Sequence, residues 1–304
     1  MDKLIACYPK PEFTVVCGER AVGLFEGNLF VKRVVIYNKQ KGLAGKINFF
    51  QQLINDKYIL VVDLKNTVLS LLLSAEFKTY PWENPPASIS HMTDRFLCRI
   101  EKFIRAIPNE AGLSIKNSLF IGPGERSQIA ELLDSTPITS KDKLAVISAG
   151  ARSHIKMWPV DRFAKLADRL ITELDFKVIL VGDNDDSAVC GSVEKNMKNP
   201  VVNLCSKTTL KTLAALLERA SLVISNDSAV MHLASYVDVP TLAVFGPTDE
   251  KKYGPWSQKN AVVKSSLDCR PCMSAQCASS DLACMEKIGV DEVFLAAKRL
   301  VFEQ

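Results

Sequence analysis

The sequence predicts an α/β protein with two domains, each built on a parallel sheet. Its 304 residues suffice for two domains, because a domain typically takes about 100 to 200 residues. Short β-branched runs alternate with helical patterns, as in parallel sheets covered by helices. A polar stretch at 136–143 is the candidate boundary. We therefore predict domains at 1–138 and 139–304.

The predicted elements follow this alternation in chain order. Strands are expected in the first half at 13–17, 34–37 and 59–62, and in the second half at 144–148, 177–181, 201–204, 222–225 and 241–245. The second set is almost wholly apolar, as parallel strands buried on both faces are. A helix is predicted from Pro159 to about Leu174, and a second along the apolar stripe 210–217.

The composition excludes several classes of protein. Apolar residues make up 47% and charged residues 24% of the chain, which is typical of folded domains. A net charge of +4 is too small to favour a nucleic-acid partner. The longest apolar run, 68–75, is too short to span a membrane, and the N-terminus does not resemble a secretory signal. The nine cysteines are therefore predicted to lie in a reducing cytoplasm.

The first informative loop follows the predicted strand 144–148. Ligands of such sheets bind at the carboxyl ends of the strands, in a cleft when two domains face each other. Here Gly150 allows close approach of the backbone to an anion, and Lys156 lies just before the helix that opens at Pro159. A cation beside a helix N-terminus is a phosphate site in physical terms. The alternative is a surface lysine beside a core tryptophan.

Two further loops follow the predicted strands 222–225 and 241–245. In the first, Asp227 or Ser228 is expected to cap the next helix, and Ser228 and His232 share one helix face. The alternative is a routine cap with a structural histidine. The second loop is a Gly-Pro turn with polar residues at 246–249.

These three segments and a later cysteine cluster occur in an order that resembles glycosyltransferase family 9, the ADP-heptose:lipopolysaccharide heptosyltransferases. The resemblance is strong over about 140–290 and weak in the first half, at 61–64 and 91–94. It implies the GT-B fold, in which two Rossmann-like domains face each other across a cleft. The last helix is expected to pack back toward the N-terminal domain.

The implied reaction is an inverting, metal-independent transfer of heptose from ADP-heptose to a lipid-anchored, anionic core oligosaccharide at the inner face of the cytoplasmic membrane. No cofactor is required. The resemblance assigns catalysis to Lys156 and Asp227. It assigns donor binding to Gly150, Ala151, Lys156, Asp185, Asp186, Asp227, Ser228, Ala229 and His232. Lys156 would stabilise the charge that develops on the departing diphosphate.

The chain departs from the family pattern in two places. Ala229 replaces a usual glycine, which restricts close approach of the backbone. The strand and Gly-Asp loop that carry the family's proposed general base do not precede Asp2. We therefore hypothesise that the natural protein is longer; the alternative is a nucleotide-sugar-binding relative without the base. Asp63 is the nominated substitute base, although a helix cap is the simpler interpretation.

A basic run in the first half suggests an acceptor contact. It comprises Lys32, Arg33, Lys39, Lys41 and Lys46, with no acidic residue between them. A solvated loop face is the ordinary explanation. Because Lys39 and Lys41 follow a predicted strand, we nominate them for an anionic acceptor. The same charge would favour anionic lipid headgroups.

The last motif is a cluster of four cysteines, Cys269, Cys272, Cys277 and Cys284. By spacing alone the cluster favours a structural zinc site. The resemblance favours a structural loop instead, because metal is not part of the family's accepted mechanism. Both interpretations stay open at this stage.

Overall fold

The computed structural model describes residues 1–8, 10–38, 42–105 and 119–303. The chain divides into two compact units, Met1–Phe120 and Ile121–Gln304. No helix in the described ranges is long and apolar enough to cross a lipid bilayer.

The first unit contains two separate two-stranded parallel sheets. Its strands are β1 (Phe13–Cys17), β2 (Val31–Ile36), β3 (Tyr58–Val61) and β4 (Ala75–Lys78), and its helices are α1 (Asp2–Cys7), α2 (Leu43–Ile54), α3 (Leu69–Leu72) and α4 (Met92–Arg105). β1 pairs with β2, and β3 pairs with β4. Strand β4 was not predicted, because its short run Ala-Glu-Phe-Lys has two charged residues and little apolar character.

The second unit is a six-stranded parallel sheet with helices. Its elements are α5 (Pro123–Asp134), β5 (Lys143–Ser148), α6 (Val160–Leu174), β6 (Phe176–Leu180), α7 (Ser187–Asn196), β7 (Val202–Asn203), α8 (Leu210–Glu218), β8 (Leu222–Asn226), α9 (Ala229–Tyr236), β9 (Thr241–Phe245), α10 (Glu250–Tyr253), β10 (Asn260–Lys264), α11 (Ala283–Glu286) and α12 (Val290–Phe302). The strand order is β10-β9-β8-β5-β6-β7. The predicted α/β class with parallel sheets is confirmed.

The core of the second unit explains why its strands were readable from sequence. All five residues of β8 and of β9 are buried, and their apolar parts, 222–224 and 242–245, appear as uninterrupted runs in the sequence. Helix α6 ends at Asp175, whose φ of 57° is left-handed and stops the helix. Its apolar face packs Phe163 and Leu166 into the core.

The division between the units differs from the predicted boundary between residues 138 and 139. Helix α5 belongs to the second unit, because it packs against α8. Arg126 makes two hydrogen bonds to the Glu218 carboxylate, at 3.0 and 3.1 Å, and Lys211 lies 2.7 Å from Glu125. The polar stretch that we took as a linker is therefore the connection between α5 and β5.

The last helix, α12, packs on the core of the second unit. Its expected packing toward the N-terminal domain stays a prediction. In the structure the buried residues of α12, Val293, Phe294 and Ala297, belong to the core of the second unit. The Arg169 guanidinium of α6 also lies over the Phe294 ring, 3.8 Å from the ring centre. This cation–π contact helps to fix α12 on α6.

Candidate functional site

The loops after β5 and β8 meet at one edge of the second sheet. Strands β5 and β8 are neighbours, and Ser148 pairs with Ser225. As a result Lys156 and Asp227 form an ion pair, with 2.7 Å between Nζ and Oδ2. The Lys156 side chain is 29% exposed and that of Asp227 is 9% exposed. Two residues that were predicted from separate motifs therefore present one charged surface, with the ammonium as its accessible part.

Asn226, which its motif did not mark as a site residue, holds these two loops together. Its side chain is fully buried. Its Oδ1 accepts a hydrogen bond from the Trp158 amide at 3.1 Å, and its Nδ2 donates to the Ala149 carbonyl at 2.8 Å. The available signal was a polar residue at the carboxyl end of a strand. Its function became visible only with the strand order.

Trp158 anchors the β5 loop from the core side. The indole is 1% exposed, and its N–H donates to the Ile288 carbonyl at 3.0 Å. The alternative interpretation of this loop was a surface lysine beside a core tryptophan. The tryptophan is indeed buried in the core. Both the backbone amide and the indole N–H of Trp158 are hydrogen-bonded. The segment that carries Lys156 is therefore held in place at this residue.

Helix α9 starts at the same edge. Ser228 occupies the residue before its first turn in an extended conformation, and in the described part of the chain no side chain caps this helix. Ser228 is thus the N-cap residue, one of the two predicted, but the predicted capping hydrogen bond does not form: Asp227 bonds to Lys156, and the Ser228 hydroxyl lies 2.8 Å from that of Ser225. Consequently the first-turn N–H groups are not taken up by a cap, as an anion site requires.

Two other nominated donor residues lie on α9. Ala229 and His232 are both exposed, and His232 stands one turn after Ser228, as predicted. The methyl group of Ala229 therefore points away from the core. The structure brings both residues to the helix end that carries Ser228.

A third loop, after β6, approaches the first through Asp186. A Cβ built on Gly150 would lie 1.9 Å from Asp186 Oδ1, and one on Gly182 would lie 2.7 Å from Asp186 Cβ. The Asp186 side chain therefore occupies the space left by two glycines. The contact explains why residue 150 is a glycine. Ala151, the next residue in the chain, is buried.

The environments of the two nominated aspartates differ. Asp185 is exposed, whereas Asp186 is half-buried. Burial raises the pKa of Asp186, the Asp183 amide that it accepts from lowers it, and the charges of Asp183 and Asp185 raise it further. Asp186 thus has a structural contact with the Gly150 loop, and Asp185 is the more accessible carboxylate.

The Gly-Pro turn after β9 is held by Arg270, which sequence reasoning missed. Its guanidinium is 5% exposed and donates to the carbonyls of Gly246, Ser265 and Thr248. The Thr248 hydroxyl is buried and has no hydrogen-bond partner among the described residues. Arg270 therefore joins the cysteine loop to this edge of the sheet. Its position beside Cys269 was the only signal in the sequence.

The structure gives Asp63 a local function. Its carboxylate accepts hydrogen bonds from the Lys65 and Thr67 amides at 2.9 and 2.8 Å and from the Thr67 hydroxyl at 2.6 Å. These bonds stabilise the turn before α3, in agreement with the simpler interpretation. The nominated acceptor residues Lys39 and Lys41 lie outside the described residues.

The four cysteines lie in different environments in the structure. Cys269 and Cys272 are exposed and Cys284 is buried, and no group of three or more His, Cys, Asp or Glu side chains among the described residues could hold a metal ion. The Ser279 hydroxyl and nearby amides lower the pKa of Cys277. Burial raises the pKa of Cys284. Cys284 lies in α11 and the other three cysteines lie in the loop before it, so among the described residues the zinc interpretation has no geometric support.

A family match covers more than half of the chain, and most of it lies in the second unit. Residues 108–283 match the model of glycosyltransferase family 9 (heptosyltransferase). The chain therefore belongs to this family, as its motifs predicted.

Individual proteins agree with the family match. Lipooligosaccharide heptosyltransferase 2 of Campylobacter jejuni serotype O:2 is 36% identical over 152 residues, which is 48% of this chain and 47% of that protein. The chain thus aligns with about half the length of this curated relative. The structure of a family 9 glycosyl transferase from Veillonella parvula superposes with a TM-score of 0.77 at 22% identity, over 96% of this chain and 89% of that one.

The structure of Escherichia coli ADP-heptose lps heptosyltransferase II superposes with a TM-score of 0.70 at 18% identity, over 99% of this chain and 92% of that one. Likeness at these identities shows the fold, and the predicted GT-B class is confirmed.

Proposed function

We propose that this protein transfers heptose from ADP-heptose, with inversion, to a lipopolysaccharide inner-core acceptor. The observation that carries the proposal is the Lys156–Asp227 ion pair, which lies where two neighbouring parallel strands end and an uncapped helix begins. This is the arrangement that binds phosphate groups in α/β proteins. The names of the relatives support heptose as the transferred sugar.

The chemistry that this site can supply is charge stabilisation. When the bond between the sugar and the diphosphate breaks, negative charge develops on the leaving group. The Lys156 ammonium and the first N–H groups of α9 would stabilise that charge. Asp227 would act through Lys156, as a positioning residue that orients the ammonium. No metal ion is needed for this part of the reaction.

The remaining nominated residues would hold the rest of the donor. Gly150 and Ala151 are the proposed backbone contacts with the diphosphate, on the loop that packs against Asp186, and Ser228, Ala229 and His232 would face it from the start of α9. The ribose hydroxyls would bond to a carboxylate after β6. Asp185 suits this contact better than Asp186, because it is exposed.

The acceptor would be a lipid-anchored anionic oligosaccharide at the inner face of the cytoplasmic membrane. Lys39 and Lys41 are the proposed contacts with its carboxylates or phosphates. The same positive charge would attract anionic headgroups, at about 1 kcal/mol for each basic residue near the surface. The proposed location is therefore cytoplasmic, with peripheral contact at the membrane.

Calorimetric titration with ADP, UDP and GDP tests the donor site. We expect ADP to bind best, and Lys156→Ala to lose about 1.5 to 3 kcal/mol, as for a charge-assisted hydrogen bond. That corresponds to a loss of affinity of roughly tenfold to a hundredfold. The matched control is Lys165→Ala, which removes an exposed lysine on α6 and should leave binding unchanged. Equal effects of the two substitutions would refute the site.

A second candidate function is binding of the nucleotide sugar without transfer. It is favoured by Asp63, because both carboxylate oxygens already accept hydrogen bonds within its own turn. Release of ADP from ADP-heptose, measured with and without acceptor, separates the two functions. Acceptor-dependent release supports the transferase, whereas tight binding with no release supports the alternative.

A further inference from the structure

Two cysteine thiols lie against the backbone at the end of β6. Cys190 belongs to α7, and Cys205 follows β7. The Cys190 thiol donates to the Val181 carbonyl at 3.7 Å, and the Cys205 thiol donates to the Asp183 carbonyl at 3.3 Å. Because these two carbonyls belong to the residues on either side of Gly182, a helix and a later loop meet at one point through their cysteines.

The two thiols also contact each other. Burial raises the pKa of Cys190, and a hydrogen bond between its thiol and that of Cys205 raises this pKa further. A Cβ built on Gly182 would lie 3.1 Å from Cys205 Sγ, so this sulfur packs tightly on the end of the strand. Cys190 is buried, whereas Cys205 is half-buried. The pair thus joins one sulfur that a small reagent can reach to a protected sulfur beside it, as in redox-sensing cysteine pairs.

The Cys205 thiol supports the acidic turn, a name we give to residues 183–186. The Asp183 carbonyl of this turn accepts hydrogen bonds from the Cys205 thiol and from the Ser206 hydroxyl, the latter at 3.2 Å. The Ser206 amide also donates to the Gly182 carbonyl at 2.9 Å. The segment that carries Cys205 is therefore the support on which the start of the acidic turn rests.

We propose that Cys190 and Cys205 form a reversible disulfide when the protein encounters a low-molecular-weight disulfide, and that this modification loosens the acidic turn. Oxidation removes the hydrogen that the Cys205 thiol donates to the Asp183 carbonyl. The cross-link closes a loop over 190–205, and the acidic turn lies outside that loop, so the disulfide does not restrain the turn in exchange. Disulfides of this kind in a reducing compartment are transient and redox-sensing.

The reaction consists of two thiol–disulfide exchanges. Cys205 loses its proton and attacks one sulfur of the small disulfide, whose sulfur–sulfur bond breaks, and the first small thiol leaves with a proton. Cys190 then loses its proton and attacks Cys205 Sγ, and the second small thiol leaves in the same way. Two protein thiols are oxidised to one disulfide, and one small disulfide is reduced to two thiols. Cys205 reacts first because it is the more accessible sulfur and because burial disfavours the attacking thiolate at Cys190.

Treatment of the full chain with glutathione disulfide tests the pairing. After the remaining free thiols are blocked, trypsin releases Cys190 in the peptide 178–195 and Cys205 in the peptide 199–207, each without a second cysteine. We expect mass spectrometry to find these two peptides joined, and to find them separate after addition of dithiothreitol. Absence of the joined pair, a link from either cysteine to the 269–284 cluster, or a link between two chains would overturn the proposal.

Three variants separate the two exchange steps. Cys190→Ala should stop the reaction at a mixed disulfide, seen as one glutathionyl group on Cys205, and Cys190→Val gives the same test if the alanine variant unfolds. Cys205→Ser should leave Cys190 unmodified, because the buried sulfur is not reached. Cys98→Ser replaces a half-buried cysteine of α4 and is the matched control, which should form the cross-link like the parent. A glutathionyl group on Cys190 in the Cys205→Ser protein would overturn the assigned order.

Hydrogen exchange tests the loosening of the acidic turn. In the cross-linked parent the Asp185 and Asp186 amides should exchange about two- to tenfold faster than in the reduced parent, as expected when one supporting hydrogen bond is lost. The Cys205→Ser protein should show no response to glutathione disulfide, and the Val146 amide of β5 serves as the internal reference. Unchanged exchange in fully cross-linked protein would overturn the effect on the turn.

The acidic turn contains Asp185, the proposed ribose contact, so its loosening should also weaken the binding of ADP. This consequence alone rests on the proposed function. Calorimetric titration should show weaker binding of ADP by the oxidised parent than by the reduced parent, and equal binding by treated and untreated Cys205→Ser protein. Equal affinities of the oxidised and reduced parent would overturn the link to the donor site. If the reduced parent does not bind ADP, the proposed function fails, and the cross-link and exchange measurements still decide the disulfide proposal.

Discussion

Lys156 and Asp227 stand 71 positions apart in the chain, yet their side chains meet at 2.7 Å. The contact forms because β5 and β8 are adjacent in the sheet although three helices and two strands separate them in sequence. The carboxylate is almost fully covered by protein and the ammonium is partly open. Asp227 is therefore the buried member of the pair, and Lys156 is the member that a ligand can reach.

A double-mutant cycle measures this ion pair. Asp227→Ala leaves a partly buried ammonium without its counter-charge and should destabilise the fold. The double variant Asp227→Ala/Lys156→Ala should lose less than the sum of the single changes, with a coupling of about 1 to 3 kcal/mol in urea unfolding. Strictly additive losses would show that the pair contributes nothing.

Asn226 is expected to be a stability hot spot. Asn226→Ala leaves the Trp158 amide and the Ala149 carbonyl buried without their present partner, and each such group costs about 1 to 3 kcal/mol. Urea unfolding should show a loss of about 2 kcal/mol or more. Asn196→Ala, which removes an exposed amide at the end of α7, is the control and should change little.

Gly150 should tolerate a methyl group only when Asp186 is shortened. Gly150→Ala places a Cβ against the Asp186 carboxylate, and such overpacking costs about 1 to 3 kcal/mol. Adding Asp186→Ala should restore most of the loss. Gly191→Ala is the matched control: nothing lies within 4 Å of its Cβ, and in helix α7 the change should stabilise. Failure of the second substitution to rescue would exclude this contact.

Asp186 should make stability decrease as pH rises. Burial raises its pKa above the ordinary 3.8, so the folded protein holds this proton more strongly than the unfolded chain does. Its contribution to the free energy of unfolding therefore falls as pH rises from 3.8 through the folded pKa. Relative to Asp186→Asn, the parent protein should gain stability as pH is lowered toward 4, measured by urea unfolding at each pH.

Asp142 provides the control of opposite sign. The Thr139 amide and hydroxyl lower its pKa from 3.8, so its contribution is complete above that value and is lost only as pH falls through the lower folded pKa. Asp142→Asn should therefore differ from the parent by a constant amount between pH 7 and 5. A pH trend of the same sign for both residues would contradict the assigned causes.

Arg270 should not be replaceable by lysine. Its guanidinium donates to three carbonyl groups on two loops, and a single ammonium cannot reach that set with a planar fork. Arg270→Lys should lower the melting temperature and increase proteolysis near the cysteine loop. Arg152→Lys, at an exposed position, should do neither.

Local patterns were sufficient for much of the second domain. Its five predicted strands were all found, because strands buried on both faces appear as apolar runs, and the loops after them carried Gly150, Lys156 and Asp227. β10 was missed, since its ends Asn260 and Lys264 are polar and exposed and leave an apolar run of only three residues. In the first domain β4 was missed for the same reason.

The sequence by itself determined the fold class, the family and the side chains nominated for the donor, since periodicity and short motifs are properties of neighbouring residues. Only the tertiary structure decided that Asn226 joins two loops, that Asp186 fills the space beside Gly150, and that α5 and α12 pack in the second domain. These contacts depend on which strands lie side by side. That order is set by burial and pairing over the whole chain, and no local stretch of sequence encodes it.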